Sequence, residues 1–346
     1  MNVFLPLLRS SNSFLDELEK KFDGKFIYDY YENIDQHQVD IINIHWPESV
    51  FINNNYDYEN FKAWLLKIKE KIPVVYTRHN TLPHRILNED SVAFNDFVNM
   101  NCNAVHHFGQ FSLEEFKKLY PKYLGMHSVI PHPYYTGLEN SADFIKAREK
   151  LGIGLDKKII LVFGTIRNDD ERNFILNFFN SLNLKNSVLL VPNFGYFQAC
   201  DSFKNIRFGT VYSKLKTFFS RRKNRILGSS YVADEDIQYY FKACNILFIP
   251  RVKALNSGVL YLGLTFDVKI VAPRAGNITE LVKGPNVIYD ANNLKGALQK
   301  IRDLIVSDEK RHDNAESEEF SSQIISQKLN IFFRSVINKH HNKSLF

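Results

Sequence analysis

Short apolar runs alternate with longer amphipathic stretches along the whole chain. That alternation is expected of parallel strands buried on both faces and joined by crossover helices. In the first half the runs predict strands at Asn2–Leu5, Lys25–Tyr28, Ile41–His45, Val74–Thr77, Ala104–His106 and Ser128–Ile130. Helices such as Tyr58–Glu70 and Leu113–Leu119 fall between them. Pro131-His132-Pro133 then enforces an extended break. A polar stretch and a helix at Ala142–Leu151 lead into a second series: Lys158–Phe163, Ser187–Val191, Arg225–Leu227, Ile246–Ile249, Lys269–Ala272 and Asn286–Tyr289. The fold expected is α/β, with two Rossmann-like doubly wound parallel-sheet domains facing a cleft. The expected domains are residues 1–137 and 138–310, with a helical tail at 311–346 packing back on the first domain. No internal repeat of solenoid period interrupts this pattern.

Composition adds bounds rather than detail. At 346 residues, 45% hydrophobic and 24% charged, the chain suits two ordinary globular domains. Its three cysteines, Cys102, Cys200 and Cys244, are far apart and form neither a disulfide framework nor a zinc spacing. The apolar part of MNVFLPLLRS is too short for a signal peptide or a membrane span. These features point to a cytoplasmic protein. The net charge of +6 is concentrated at Lys214, Lys216, Arg221, Arg222, Lys223 and Arg225, with Phe218 and Phe219 interleaved. Such a run fits an anionic membrane surface at the inner face, or the solvated face of a helix. No nucleic-acid-binding motif accompanies it, so nucleic acid is not an expected partner.

Neither half carries G-x-G-x-x-G or a Walker loop, which removes the best support for a dehydrogenase or a P-loop NTPase. Chemistry-bearing residues nevertheless gather where predicted strands end, the place where open α/β sheets bind ligands. They are His45-Trp46-Pro47-Glu48, Arg78-His79-Asn80, His106-His107, His132, Gly164-Thr165-Ile166-Arg167 and Asn256-Ser257-Gly258. In the last of these, small polar residues hand a strand over to a helix, leaving outward-aimed amides that suit a phosphate or simply cap the helix. His106 and His107 are adjacent and point to opposite faces of a strand, and no H-x-x-x-H pairing appears, so no metal site is expected.

Four longer segments resemble the GT-B glycosyltransferases, specifically the retaining, nucleotide-sugar-dependent family 4. PVVYTRHN (Pro73 to Asn80) is similar to that family's strand ending in an active-site histidine. HSVIPHPYY (His127 to Tyr135) is similar to the segment closing the first domain. ILVFGTIRNDDER (Ile160 to Arg172) resembles the glycine-and-basic loop at the donor diphosphate. ILGSSYVADEDIQYYFKACNILFIP (Ile226 to Pro250) resembles the nucleoside-binding strand, helix and strand, and the match continues through Asn256-Ser257-Gly258 to APRAGNITELV. The donor-site motif departs from the family. Its two glutamates correspond to positions near Ala254 and Leu262, Gly-Phe-Gly is replaced by Asn-Ser-Gly, and Asp169-Asp170-Glu171 stand where a lysine is expected.

The resemblance implies transfer of a sugar, as a hexosyltransferase without a metal or other cofactor, from a UDP- or GDP-linked donor. The implied acceptor is a glycan or lipid-linked glycan in surface polysaccharide synthesis. Without a metal, fixed cations and amides must stabilise the leaving diphosphate. Arg167, Arg251 and Arg172 are the expected diphosphate contacts, since a planar guanidinium stays charged and binds two oxygens. Asn256, Ser257 and Gly258 join them, and Tyr231 and Val232 are expected at the nucleoside. His79 is expected at the donor sugar, and Glu48 is the expected catalytic base should the reaction invert, with His45 a second candidate. His45, Trp46 and Arg78 are expected to meet the acceptor. Two rival functions remain open: a catalytically silent nucleotide-sugar-binding subunit, favoured by the lost glutamates, and a sugar-nucleotide epimerase of the same architecture.

Overall fold

The computed structural model describes residues 1–10, 12–51, 57–83, 89–195, 224–228, 231–307 and 318–343. The chain divides into two compact units, Met1–Tyr135 with Ser317–Phe346, and Thr136–Glu316.

In the first unit the order is β1 (Asn2–Leu5), α1 (Ser13–Glu19), β2 (Lys25–Tyr28), β3 (Ile41–Ile44), α2 (Tyr58–Ile68), β4 (Val74–Arg78), α3 (Glu89–Asn101), β5 (Ala104–His107), α4 (Gln110–Leu119) and β6 (Met126–Val129). The six strands form one parallel sheet in the order β2-β1-β3-β4-β5-β6, which reverses direction between β1 and β3. Val3, Phe4 and Leu5 are fully buried, as are Ile41 and Ile42, because helices cover both faces of these apolar strands. One face packs Tyr31, Phe61, Phe94 and Phe116 into a single core. Full burial of such a ring contributes about 2–3 kcal/mol.

The second unit runs α5 (Phe144–Leu151), β7 (Lys158–Leu161), α6 (Asp169–Leu182), β8 (Ser187–Val191), β9 (Arg225–Leu227), α7 (Asp234–Ala243), β10 (Ile246–Phe248), α8 (Gly258–Thr265), β11 (Ile270–Pro273), α9 (Ile278–Leu281), β12 (Val287–Tyr289) and α10 (Leu294–Val306). Its sheet, also parallel, has the order β12-β11-β10-β7-β8-β9. Counted within the unit this is the Rossmann order 3-2-1-4-5-6, with the reversal between β7 and β10. Phe178 stacks on Phe248 at 3.7 Å in the core between α6 and the sheet. Arg148 of α5 is buried. It donates to the carbonyls of Ala243, Gly154 and Lys157 and to Asn245 Oδ1, at 2.6–3.1 Å.

The last helix, α11 (Ser322–Lys343), belongs to the first unit. Ile325, Leu329, Phe332, Phe333 and Val336 are buried. Ser322 donates to Glu17 of α1, Ser326 donates to the Leu18 carbonyl at 3.1 Å, and His340 donates to the Lys69 carbonyl at 2.9 Å. The strands land within a residue or two of their expected positions. The doubly wound parallel α/β class is the observed one in both units.

Candidate functional site

In the first unit the chemistry collects beside the β1/β3 reversal. His45 follows β3 and His79 follows β4, and the Nδ1 of His45 lies 3.0 Å from Nε2 of His79. Trp46 stacks on the His79 ring at 4.4 Å and 28°. Both are half-buried and form the rim, while Phe14, at the start of α1, underlies them with its ring edge-on to His79 at 5.2 Å and tilted on His132 at 4.6 Å. Beneath this rim runs a polar chain inside the sheet. Asn43 Nδ2 is 2.9 Å from Nε2 of His45, Thr77 Oγ1 is 2.9 Å from Asn43 Oδ1, and His106 Nδ1 is 3.3 Å from Thr77. His106 Nε2 ends the chain on the Ile130 carbonyl at 2.8 Å. Burial pushes His45 down to about 3, helped by the neighbouring His106, and pushes His106 down to about 4 and His132 to about 3. These rings are neutral hydrogen-bonding groups.

Two expectations change here, those for His45 and Arg78. His45 is 1% exposed with both ring nitrogens engaged, so it supports His79 from below and does not reach an acceptor. Arg78 is fully buried on the opposite face of β4, as strand alternation requires of the neighbour of Thr77. It donates to the Ser112 carbonyl at 2.9 Å and pairs with Glu115 at 2.7 Å, bracing α4 instead of meeting an acceptor. Glu48 sits half-buried in the 3-10 turn Pro47–Val50, and its charge is felt by Tyr76, which packs in the core with Phe94 and Phe116.

In the second unit a small depression opens at the β7/β10 reversal, lined among others by Gly164, Thr165, Glu171, Arg251, Ser257 and Val259. Gly164 has φ +89°, and a Cβ there would stand 3.0 Å from the Val259 side chain, so this turn demands glycine. The loop then enters α6, whose cap Asn168 accepts from the Glu171 amide at 2.9 Å while Glu171 accepts from the Arg167 amide at 2.7 Å. Arg251 donates to the Thr165 carbonyl at 2.8 Å and lies 3.5 Å from Glu171. The exposed Arg167 makes no side-chain hydrogen bond or ion pair to the described residues. Surrounding protein and then repulsion from Arg251 lower its pKa. Two guanidinium groups thus lie near a single carboxylate that pairs with Arg251 and takes only the backbone amide of Arg167, an arrangement beside a glycine turn that favours an anion.

Across the depression, Ser257 caps α8 by accepting from the Leu260 amide at 3.3 Å, and Gly258 is the first helical residue. Asn256 is held by Asn277, which donates to its Oδ1 at 2.6 Å from the Pro273–Gly276 turn. Gly276 has φ +48° and a Cβ there would strike the Leu255 carbonyl at 2.2 Å. Arg172 is the third correction: it is 3% exposed, bonded to the Phe194 carbonyl and to Asp169 at 2.8 Å, and it supports the loop from within. Tyr231 is exposed at the approach to α7 and Val232 is buried beside it, and neither lines the depression. The structure therefore brings Arg167, Arg251, Ser257 and Gly258 together in one unit, and His79 with Trp46 in the other.

Sequence reasoning missed Asn43, Thr77, Phe14 and Glu171. The available signal for the first two was a polar residue interrupting an otherwise apolar buried strand, IINIH and VVYTR. The basic segment 214–223 and Cys200 lie outside the described residues, while Arg225 bonds Asn180 Oδ1 within β9 and α6. Among the described residues no helix is long and apolar enough to cross a membrane, and no group of three His, Cys, Asp or Glu side chains is placed to hold a metal.

No protein-family model matches the sequence, and neither does any curated protein. Solved structures do match in fold. Sucrose-phosphate synthase from Thermosynechococcus elongatus superposes with TM-score 0.62 at 16% identity, over 87% of this chain and 74% of that one. Anabaena HepE, in complex with UDP and glucose, gives 0.59 at 13% identity over 99% of this chain and 98% of that one. The α,α-trehalose-phosphate synthase (UDP-forming) from Burkholderia xenovorans, in complex with glucose-6-phosphate, gives 0.60 at 11% over 88% and 75%. At these identities the likeness speaks to architecture: this chain has the two-domain, Rossmann-like α/β fold of the GT-B glycosyltransferases.

Proposed function

We propose that the protein is a glycosyltransferase that moves a sugar from a nucleoside-diphosphate donor, UDP- or GDP-linked, to a glycan or lipid-linked glycan acceptor. The observation that carries this reading is the approach of the Arg167 and Arg251 guanidinium groups to each other at the β7/β10 reversal, where, among the described residues, the nearby carboxylate of Glu171 pairs with Arg251 alone. Anions bind at such reversals, and here the Gly164 turn and the first amides of α8 add donors to the two fixed cations. When the glycosidic bond to the diphosphate breaks, charge grows on the leaving oxygens, and guanidinium groups already in place stabilise it without reorganisation. His79, stacked on Trp46, is the proposed contact to the donor sugar, with Trp46 offering its face to a sugar ring. HepE, whose fold covers nearly the whole chain, was solved with UDP-glucose, which makes a UDP-sugar the first donor to try.

Metal independence, a role in surface polysaccharide synthesis and docking at an anionic membrane face through Lys214–Arg225 are parts of the same proposal. A second reading, a nucleotide-sugar-binding subunit without turnover, is favoured by Ala254 and Leu262, apolar where the family carries glutamates. Thermal-shift binding against UDP, GDP, ADP, CMP and TDP, with and without EDTA, tests the site first. Stabilisation by one diphosphate that survives EDTA supports it and names the base. No shift with any of them removes the nucleotide site. Binding without release of nucleoside diphosphate from the sugar donor moves the weight to the silent subunit.

A further inference from the structure

The buried side chains under His79 form a chain whose polarity can be worked out from its far end. The Ile130 carbonyl can only accept, so Nε2 of His106, 2.8 Å away, carries a hydrogen. The ring is neutral, since burial drives its pKa down to about 4, so its Nδ1 is an acceptor. The polar group at that nitrogen is the Thr77 hydroxyl at 3.3 Å. Thr77 has one hydrogen to give, and its oxygen is also 2.9 Å from the Asn43 amide.

Two proton arrangements follow. With the Asn43 carbonyl end toward Thr77, the hydroxyl donates to Oδ1 and Nδ1 of His106 faces an oxygen lone pair, a buried acceptor left without a donor. A half-turn of the amide exchanges two nearly isosteric ends and removes that fault. Asn43 then donates to Thr77, Thr77 donates to His106, and the Asn43 oxygen accepts from Nε2–H of His45 at 2.9 Å. His45, neutral because burial pushes it down to about 3, is left with Nδ1 as an acceptor, and the group facing it at 3.0 Å is Nε2 of His79. Every hydrogen bond of the four inner residues is then satisfied in one direction.

We propose that Asn43, Thr77, His106 and His45 are positioning residues that leave Nδ1 of His45 an acceptor and so hold a proton on Nε2 of His79. This deepens the reading of His79 as the donor-sugar contact, while the position of the proton does not rest on that reading. A histidine whose distal nitrogen is fixed by a buried partner presents one defined nitrogen to its ligand.

Long-range proton–nitrogen correlation spectra of the histidine rings, recorded on the full-length ligand-free protein near neutral pH, test it directly. The Nε2–H tautomer is expected at both His45 and His79. An Nδ1–H ring at His79 overturns the proposal. Thr77→Val keeps the side-chain shape and removes the hydroxyl. It is expected to give a mixed tautomer at His79 while the backbone amide spectrum stays native, with Thr77→Ser restoring the wild-type ring signals. A pure Nε2–H ring at His79 in folded Thr77→Val would also overturn the proposal, and if that variant does not fold the wild-type tautomer decides alone. With donor hydrolysis as the assay, Thr77→Val should lower kcat about tenfold and leave KM near its wild-type value. Failure to bind any sugar nucleotide would sink the transferase reading and leave the tautomer assignment standing, so the two are separable.

Discussion

Arg251, which follows β10, donates across the reversal of the second sheet to the carbonyl oxygen of Thr165, which follows β7, over 2.8 Å. One bond thus ties together the two strand ends that flank the depression and fixes a cation there. Its near carboxylate, Glu171 at 3.5 Å, also accepts from the backbone amide of Arg167, while the Arg167 guanidinium forms no ion pair among the described residues. The two neighbouring guanidinium groups leave local positive charge beside the turn.

Arg167→Ala should therefore weaken nucleoside-diphosphate binding while the fold stays intact. A charge-assisted hydrogen bond contributes about 1.5–3 kcal/mol, roughly a ten- to hundredfold change in Kd. Titration calorimetry with UDP and a thermal melt of the free variant check both halves. Unchanged affinity in a folded variant takes Arg167 out of the site.

Gly164→Ala tests whether the turn is built for the ligand. At φ +89°, with Val259 3.0 Å from the new Cβ, alanine forces the loop to shift at a cost on the order of 1–3 kcal/mol. Because the same turn leads to Arg167, diphosphate affinity should fall together with the melting temperature. A variant as stable as wild type with undiminished binding would show that the turn relaxes freely and is not part of the site.

How far the chain could be read in advance followed from what each residue does. Val3, Phe4, Ile160 and Leu161 announced their strands because a strand buried on both faces must be apolar throughout, and that rule leaves a visible run. Gly164, Arg167, Arg251 and Ser257 were legible because they follow strand ends, where open sheets place ligands. The errors came from side-chain direction. Arg78 and His79 look alike as polar residues ending a strand, yet alternation sends Arg78 into α4 and leaves His79 at the rim. His45 could not be told from a surface histidine because its burial depends on Phe14, which is 31 residues earlier in the chain.

Arg78→Met separates scaffold from acceptor contact. Removing one partner of a buried, hydrogen-bonded ion pair typically costs 3–5 kcal/mol, and here about 3 kcal/mol is expected because Glu115 keeps some contact with water. Urea unfolding should show that loss, and donor and acceptor affinities in the folded fraction should be unchanged. A stable variant with impaired acceptor binding would return Arg78 to the acceptor site.

The buried imidazoles make an acid limit to stability a direct expectation. Burial lowers His45 to about 3, His106 to about 4 and His132 to about 3, and burial together with Arg78 lowers His107 to about 2. In the unfolded chain all four titrate near 6.5, so between roughly pH 6 and 4 the unfolded state binds protons that the folded state does not. Stability contributed by these groups is present above the unfolded value and is lost as pH falls. Each neutral ring contributes a slope of about 1.4 kcal/mol per pH unit when fully developed, and four together a slope on the order of 5 kcal/mol per unit. The first unit can be followed by itself, because both tryptophans of the chain, Trp46 and Trp64, lie in it. Urea titrations monitored by tryptophan fluorescence at pH 7.5, 6.0 and 5.0 should show the midpoint dropping steeply below pH 6.5. A midpoint that stays level to pH 5 would mean that these histidines already carry protons in the folded protein, and the neutral chain from His106 to His45 would fall with that result.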